Sequence, residues 1–320
     1  MKKNRIYFGI LVLAIILVTA WAAYGMQKIG KTEKNYPVSV IVNNSNSDRW
    51  IAFKEGLEQG AADYHIKLNI VSTTEFSDLS EETQTIRREV ENGAAGVIVE
   101  MQSSQDDEKL LAGLSASGAV TLVETDMTPE DLYGSVMPDS YEIGKAIADA
   151  VMEREKPLKN VTIGILSGNQ NQVSMQKRLA GFCEAIQESG AKVSWTLSKE
   201  QESQYIVAEY QKKSPVDVLI TLGNDETERA VDYLQSADAK CRIYGEGCSE
   251  KNVYFLDKGM IQTLIVPNEF NMGYQSVAAI SKQLEYGTAS VENTKIGFLA
   301  VTRENLYDEE NQKILFPIVQ

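Results

Sequence analysis

The chain has a single histidine, His65. A Ser-His-Asp triad or a multi-His metal site needs that side chain beside other nucleophilic or ligating groups. His65 closes a helical pattern with no Cys/His cluster near it in sequence, so neither chemistry is expected. The cysteines are three, Cys183, Cys241 and Cys248, too few and too odd in number for a disulfide framework. Cys241 and Cys248 flank an expected strand, and seven extended residues span roughly 23 Å, beyond disulfide reach unless the chain turns back after Gly245. Positive charge is also scarce. Lys and Arg number 31 against 45 Asp and Glu, a net charge of −14, and Lys2, Lys3 and Arg5 sit within the first five residues. No basic stripe follows them, so the phosphate neutralisation that nucleic-acid binding rests on has no footprint here.

What is present begins with an apolar run. Ile6–Met26 contains no charged residue and has the roughly 20-residue length of a bilayer span, beyond the roughly 7–15 of a signal-peptide apolar region. Residues Met1–Met26 are expected to be an uncleaved anchor, with the basic end in the cytoplasm and residues 27–320 outside. Ala20-Trp21-Ala22 has the small-x-small form of a cleavage site, and secretion after cleavage is the alternative. No cysteine follows the run, so lipoprotein attachment is not expected. Gly25-Met26-Gln27-Lys28-Ile29-Gly30-Lys31-Thr32 fits G-x-x-x-x-G-K-[ST], but that phosphate cradle requires a strand before it and a helix after it. Here an apolar helix precedes it and a short linker to Pro37 follows.

Val38–Ala62 organises the rest. Val38–Val42 has the length of one buried strand, Asn43–Asp48 is a polar loop, and Trp50, Phe53 and Leu57 then recur at helical spacing. In an open parallel sheet such a loop lies outside the carboxyl end of its strand, where ligands bind. It has no glycine, which argues against a dinucleotide. Strands at Val38–Val42, Lys67–Ser72, Gly96–Glu100 and Val120–Glu124 alternate with helical patterns at Asp48–Tyr64, Ser80–Asn92 and Gln105–Ser117, the rhythm of successive βα units. Met137-Pro138-Asp139 interrupts it. A second series follows, with helices at Ser140–Glu155, Val173–Ser189, Gln201–Lys212 and Asp225–Ser236. Its strands are Val161–Leu166, Lys192–Leu197, Val216–Thr221, Arg242–Gly245 and Ile261–Val266. Asn268–Tyr286 is a long helix, Ile296–Val301 one more strand, and the remaining tail is acidic and irregular.

Four segments resemble the type I periplasmic sugar-binding proteins of ribose and galactose type, whose fold is shared by the ligand domains of lac-repressor-like regulators. They are Val38–Ala62, Asp139-Ser140 with Gly144-Lys145-Ala146-Ile147-Ala148, Arg178-Leu179-Ala180-Gly181-Phe182, and Leu222-Gly223-Asn224-Asp225 with Ala230. The resemblance covers roughly residues 38–301. It implies an α/β fold of two doubly wound parallel-sheet lobes joined by a multi-strand hinge, after one N-terminal transmembrane helix. The expected organisation is 1–36 for the stub, anchor and linker, 37–138 with 268–296 for the first lobe, and 139–267 with 297–320 for the second. The implied activity is closure on a small polar ligand, a sugar, with no catalysis, cofactor or metal. The implied partner is a permease and ATPase complex or a sensor histidine kinase, and not nucleic acid. A regulator would need a helix-turn-helix where the apolar span stands. By position, the implied ligand contacts are Arg49 and Trp50 on the first loop, Glu124 and Thr125 at the end of the fourth strand, and Gln176 where the family usually has Arg. Asn224 matches a ligand-binding Asn, Asp225 follows it, Glu246 stands where Asp is expected after a strand, and Asn268 lies beside an expected Gln. The usual Arg and Asp pairs are mostly missing, so ribose and galactose are not singled out.

Overall fold

The structure, a computed structural model, describes residues 15–19, 21, 35–104, 113, 118–126, 134–201, 203–237, 241–287 and 293–317. The P-loop-like match, most of the expected anchor and all but one residue of the expected helix Gln105–Ser117 lie outside these. Among the described residues no helix is long and apolar enough to cross a membrane. Residues 36–320 form one compact unit.

Two six-stranded sheets run through that unit. The first takes β1 (Tyr36–Ile41), β2 (Ile66–Ile70), β3 (Gly96–Val99), β4 (Ala119–Val123), β5 (Gly134–Pro138) and β11 (Thr294–Ile296), in the order β11-β5-β4-β3-β1-β2. The second takes β6 (Thr162–Leu166), β7 (Lys192–Leu197), β8 (Val218–Thr221), β9 (Arg242–Glu246), β10 (Ile261–Pro267) and β12 (Phe298–Val301), in the order β12-β10-β9-β8-β6-β7. All pairings are parallel except that of β12 with β10. The two orders are the same pattern repeated, as two βα series in the sequence require.

Helices cover both faces of each sheet, because the central strands are apolar on both sides. In the first lobe α1 (Ile51–Asp63) and α8 (Glu269–Tyr286) bury Phe53, Leu57, Met272, Val277 and Ile280 on one face. On the other, α2 (Leu79–Glu91) buries Ile86. In the second lobe α3 (Ser140–Arg154) and α4 (Val173–Ile186) take one face. The other is taken by α5 (Gln204–Lys213), α6 (Asn224–Ala237), α7 (Glu250–Asp257) and α9 (Glu309–Leu315). The α3–α4 contact is a reciprocal glycine crossing. A Cβ on Gly144 would overlap the Arg178 carbonyl, and one on Gly181 the Tyr141 carbonyl. Gly56 and Gly273 do the same for α1 and α8. The glycine of each of the two sequence motifs thus lets two helix backbones touch.

The chain crosses between lobes three times, after β5, after β10 and between β11 and β12. The crossings lie side by side. Ile296 pairs with Pro138, Pro267 with Phe298, and the Asn268 N–H donates to the Gly297 carbonyl at 3.0 Å. The expected single strand Ile296–Val301 is therefore two, split at Gly297 and shared between the sheets. The structure also has elements that the sequence pattern did not suggest: β5, where Met137-Pro138 reads as a break, and the short helices α7 and α9.

Candidate ligand-binding cleft

In each sheet the strand order reverses between the first and third strands of its series, at β1/β3 and at β6/β8. Loops leaving the carboxyl ends of such strands diverge and leave a crevice. Here the two crevices face each other. The cavity between them, of about 60 Å³, is walled by Asn43, Arg49, Glu100 and Glu124 from one lobe and by Asn169, Arg178, Asn224 and Glu246 from the other. Direct bonds hold the rims together. Asn169 Nδ2 donates to the Gln102 carbonyl at 2.8 Å and Gln172 Nε2 to the Met101 carbonyl at 2.8 Å. Lys199 pairs with Glu75 at 2.8 Å, and Lys177 with Asp126.

Arg49 is placed by its own loop. The Trp50 indole N–H donates to the Asn43 carbonyl at 3.1 Å, which closes the loop, and the Arg49 guanidinium stacks on the Trp50 ring 4.1 Å from its centroid. Its far end pairs with Glu124 and lies 3.9 Å from Glu100. Glu100, the residue after β3, accepts the Asn43 N–H at 3.0 Å. Glu124, the residue after β4, has a left-handed backbone, φ 49°, that a non-glycine residue seldom adopts. Arg178 reaches from α4 to the Leu222 carbonyl at 2.9 Å and to Glu246 at 3.1 Å, and its second Nη lies 3.5 Å from Glu124 across the cleft. Glu269, in the first turn of α8, is 2% exposed.

Burial dominates the titration of these groups. It works against the Arg49 charge, but Glu124, Glu100 and Glu269 outweigh it and the pKa lies well above its ordinary value. Burial pushes Glu100 up to about 7 and Glu246 up to about 7. It raises Glu269 well above the usual carboxylate value, with the neighbouring Glu124 charge adding to it. Burial opposes Glu124 ionisation as well, yet Arg49 and Arg178 hold its pKa below the usual value. The arrangement binds and orients. It can accept from hydroxyl or amine donors and donate from two guanidiniums.

Of the residues expected at the site, Arg49, Glu124, Asn224, Asp225 and Glu246 line the cavity. Four do not. Trp50 is fully buried against Phe53 in the first lobe's core and gives its ring to Arg49; an indole that fills a core cannot also stack on a ligand. Thr125 is buried, donating to the Val123 carbonyl and accepting the Met101 N–H, both at 2.8 Å. Gln176 turns outward and donates to the Gln170 carbonyl at 2.7 Å. Asn268 caps α8 by accepting the Asn271 N–H at 2.9 Å. Asn224 lines the cavity but is largely committed elsewhere. Its Oδ1 accepts from Cys248 N, Ser249 N and Asn252 Nδ2 at 3.1, 3.1 and 2.9 Å, which orders the loop after β9. Glu100 and Arg178, which line the cavity, and Glu269, which lies beside Glu124 and Glu246 behind its wall, were not among the expected contacts. The sequence carried a signal for each: an acid ending an apolar run, an Arg among the inward positions Met175 and Phe182, and an acid next to Asn268. The three cysteines are free.

The sequence matches the periplasmic binding protein domain family over residues 38–289. The chain belongs to that family. No curated protein matches it in sequence. Among solved structures, this periplasmic binding protein is similar to a carbohydrate-transporter solute-binding protein from Agrobacterium radiobacter in complex with D-arabinose. The two share 16% identity with a TM-score of 0.81, over 88% of this chain and 99% of that one. It is also similar to GanP, a glucose-galactose binding protein from Geobacillus stearothermophilus, at 18% identity, TM-score 0.76, over 86% and 99%. A third is the Caulobacter myo-inositol binding protein bound to myo-inositol, at 18% identity, TM-score 0.74, over 87% and 97%. Like the proteins of this family, the chain is a binding protein and not an enzyme.

Proposed function

We propose that the chain is an extracytoplasmic solute-binding protein, anchored through Met1–Met26, that closes its lobes on a small carbohydrate and delivers it to an ABC-type importer. The moving bodies in this reading are 37–138 with 268–296 and 139–267 with 297–320. The observation that carries the reading is the cleft: two crevices at the carboxyl ends of opposed sheets, walled by buried charged groups from both lobes. Sugars are dense in hydroxyl groups, and ionised groups make strong, directional bonds to them. The D-arabinose and myo-inositol carried by the similar proteins support the same ligand class. The cavity is well below the roughly 300 Å³ lower end of small-molecule pockets. Entry therefore requires the lobes to part at their three crossings, with the rim bonds broken and remade.

The test is thermal unfolding of the full-length chain in detergent against a panel of sugars and cyclitols. A ligand at a hundredfold excess over its Kd adds about 2.7 kcal/mol of stability. The expected result is a rise in Tm with one sugar class that Arg178→Ala abolishes. No shift with any carbohydrate would overturn the reading.

A further inference from the structure

Four carboxylates, Glu100, Glu124, Glu246 and Glu269, are buried around two guanidiniums, Arg49 and Arg178. Fully ionised, the set would keep a surplus of negative charge away from water, which is strongly disfavoured, and without a ligand the raised pKa values of Glu100, Glu246 and Glu269 relieve it by protonation. A second observation points the same way. Glu269 Oε2 is buried with no hydrogen-bond partner among the described residues, and Glu124 Oε1 has only the 3.5 Å approach of Arg178. Glu124, Glu246 and Glu269 each offer an oxygen within 4.8 Å of the others. An ammonium group has three N–H donors in tetrahedral directions, and bonds of about 2.8 Å place their acceptors about 4.6 Å apart. A third observation narrows the occupant. Arg49 Nε and Arg178 Nε are also buried without partners, donors that suit an occupant with oxygen acceptors as well as positive charge. A metal ion brings no acceptor. A neutral sugar or a zwitterionic amino acid brings no net charge and leaves those protons in place, whereas an ammonium takes the place of one.

On the reading that this cleft takes a carbohydrate, we infer that the ligand is an amino sugar or aminocyclitol. Its protonated amine is held by Glu269 with Glu124 and Glu246, and its hydroxyl oxygens meet Arg49 and Arg178. Glu269 is the counterion that decides the preference, because the other two carboxylates already have arginine partners. Its raised pKa has burial and the Glu124 charge as causes, and a cation beside it would draw that pKa back down.

Matched pairs test this on the full-length chain: D-glucosamine against D-glucose, D-galactosamine against D-galactose, and an inosamine against myo-inositol, with L-serine and calcium chloride as further probes. The amine member of at least one pair is expected to raise Tm and to bind roughly tenfold or more tighter than its hydroxyl partner. Glu269→Gln should remove that preference, and Glu269→Asp should retain part of it, which separates loss of charge from loss of fold. Equal or tighter binding of the hydroxyl member overturns the inference and leaves the carbohydrate reading standing. A response to serine or calcium alone, or to nothing, overturns both.

Discussion

Glu100 and Glu246 hold protons at a pH where an exposed carboxyl has long released them. Each has a pKa near about 7 in the folded chain, against about 4.3 for an unperturbed glutamate. Between those values the folded state binds more protons than the unfolded one. Their contribution to stability is therefore full below about 4.3 and is lost as pH rises through about 7. The unliganded chain should melt at a higher temperature at pH 5 than at pH 8, and a Glu100→Gln, Glu246→Gln variant should flatten the profile. A wild-type melting temperature that is level across this range would show the two carboxyls ionising normally. The same residues show what sequence can reveal of a site. Position along a βα unit pointed to Arg49, Glu124 and Glu246, because strand ends are countable. It could not tell Trp50 from a ligand-facing ring, since the direction of an indole depends on what α8 and β1 pack against it. Nor could it show that Asn224 spends its carbonyl oxygen on three donors after β9, a contact between residues 24 to 28 apart.

Helices α3 and α4 touch through Gly144 and Gly181, and Arg178 lies on that contact. The motifs at these positions therefore act on the site at second hand, by setting how far Arg178 reaches. Gly181→Ala would drive a methyl into the Tyr141 carbonyl, and the helices must separate to admit it. Overpacking of this kind costs about 1–3 kcal/mol. We expect that loss in urea unfolding, together with weaker sugar binding from a displaced guanidinium; unchanged stability would show that the crossing relaxes freely. Long periodic elements were legible from residue pattern alone, and α1, α3, α4, α6 and α8 fall where apolar spacing puts them. The short apolar strands of the βα series were legible too, but the strands at the crossings and the shortest helices were not. Strand β5 opens at Gly134 and closes on Pro138, β11 and β12 share one apolar run, and α7 and α9 each span about two turns, too few for a period to declare itself.

Both sheets take their last strand from the end of the chain: β11 completes the first beside β5, and β12 the second beside β10. A chain ending at Gly287 would leave both lobes an edge short and would remove one of the three crossings. We expect it to lose its cooperative thermal transition and to be cut by protease throughout, not only near the new end; a sharp transition near the full-length temperature would show the last strands to be dispensable. The crossings themselves were foreseeable only in outline, because pairing of Ile296 with Pro138 joins residues far apart in sequence. The interleaving also governs how the molecule comes into being. Synthesis runs from the amino end, and α8, which roofs Trp50 and Phe53 in the first lobe, is made after all the parallel strands of the second. The lobe begun first is finished late, so most of a nascent chain is made before either lobe has its full set of strands. Such a chain stays pliable while it is being threaded and sets only once nearly all of it has arrived.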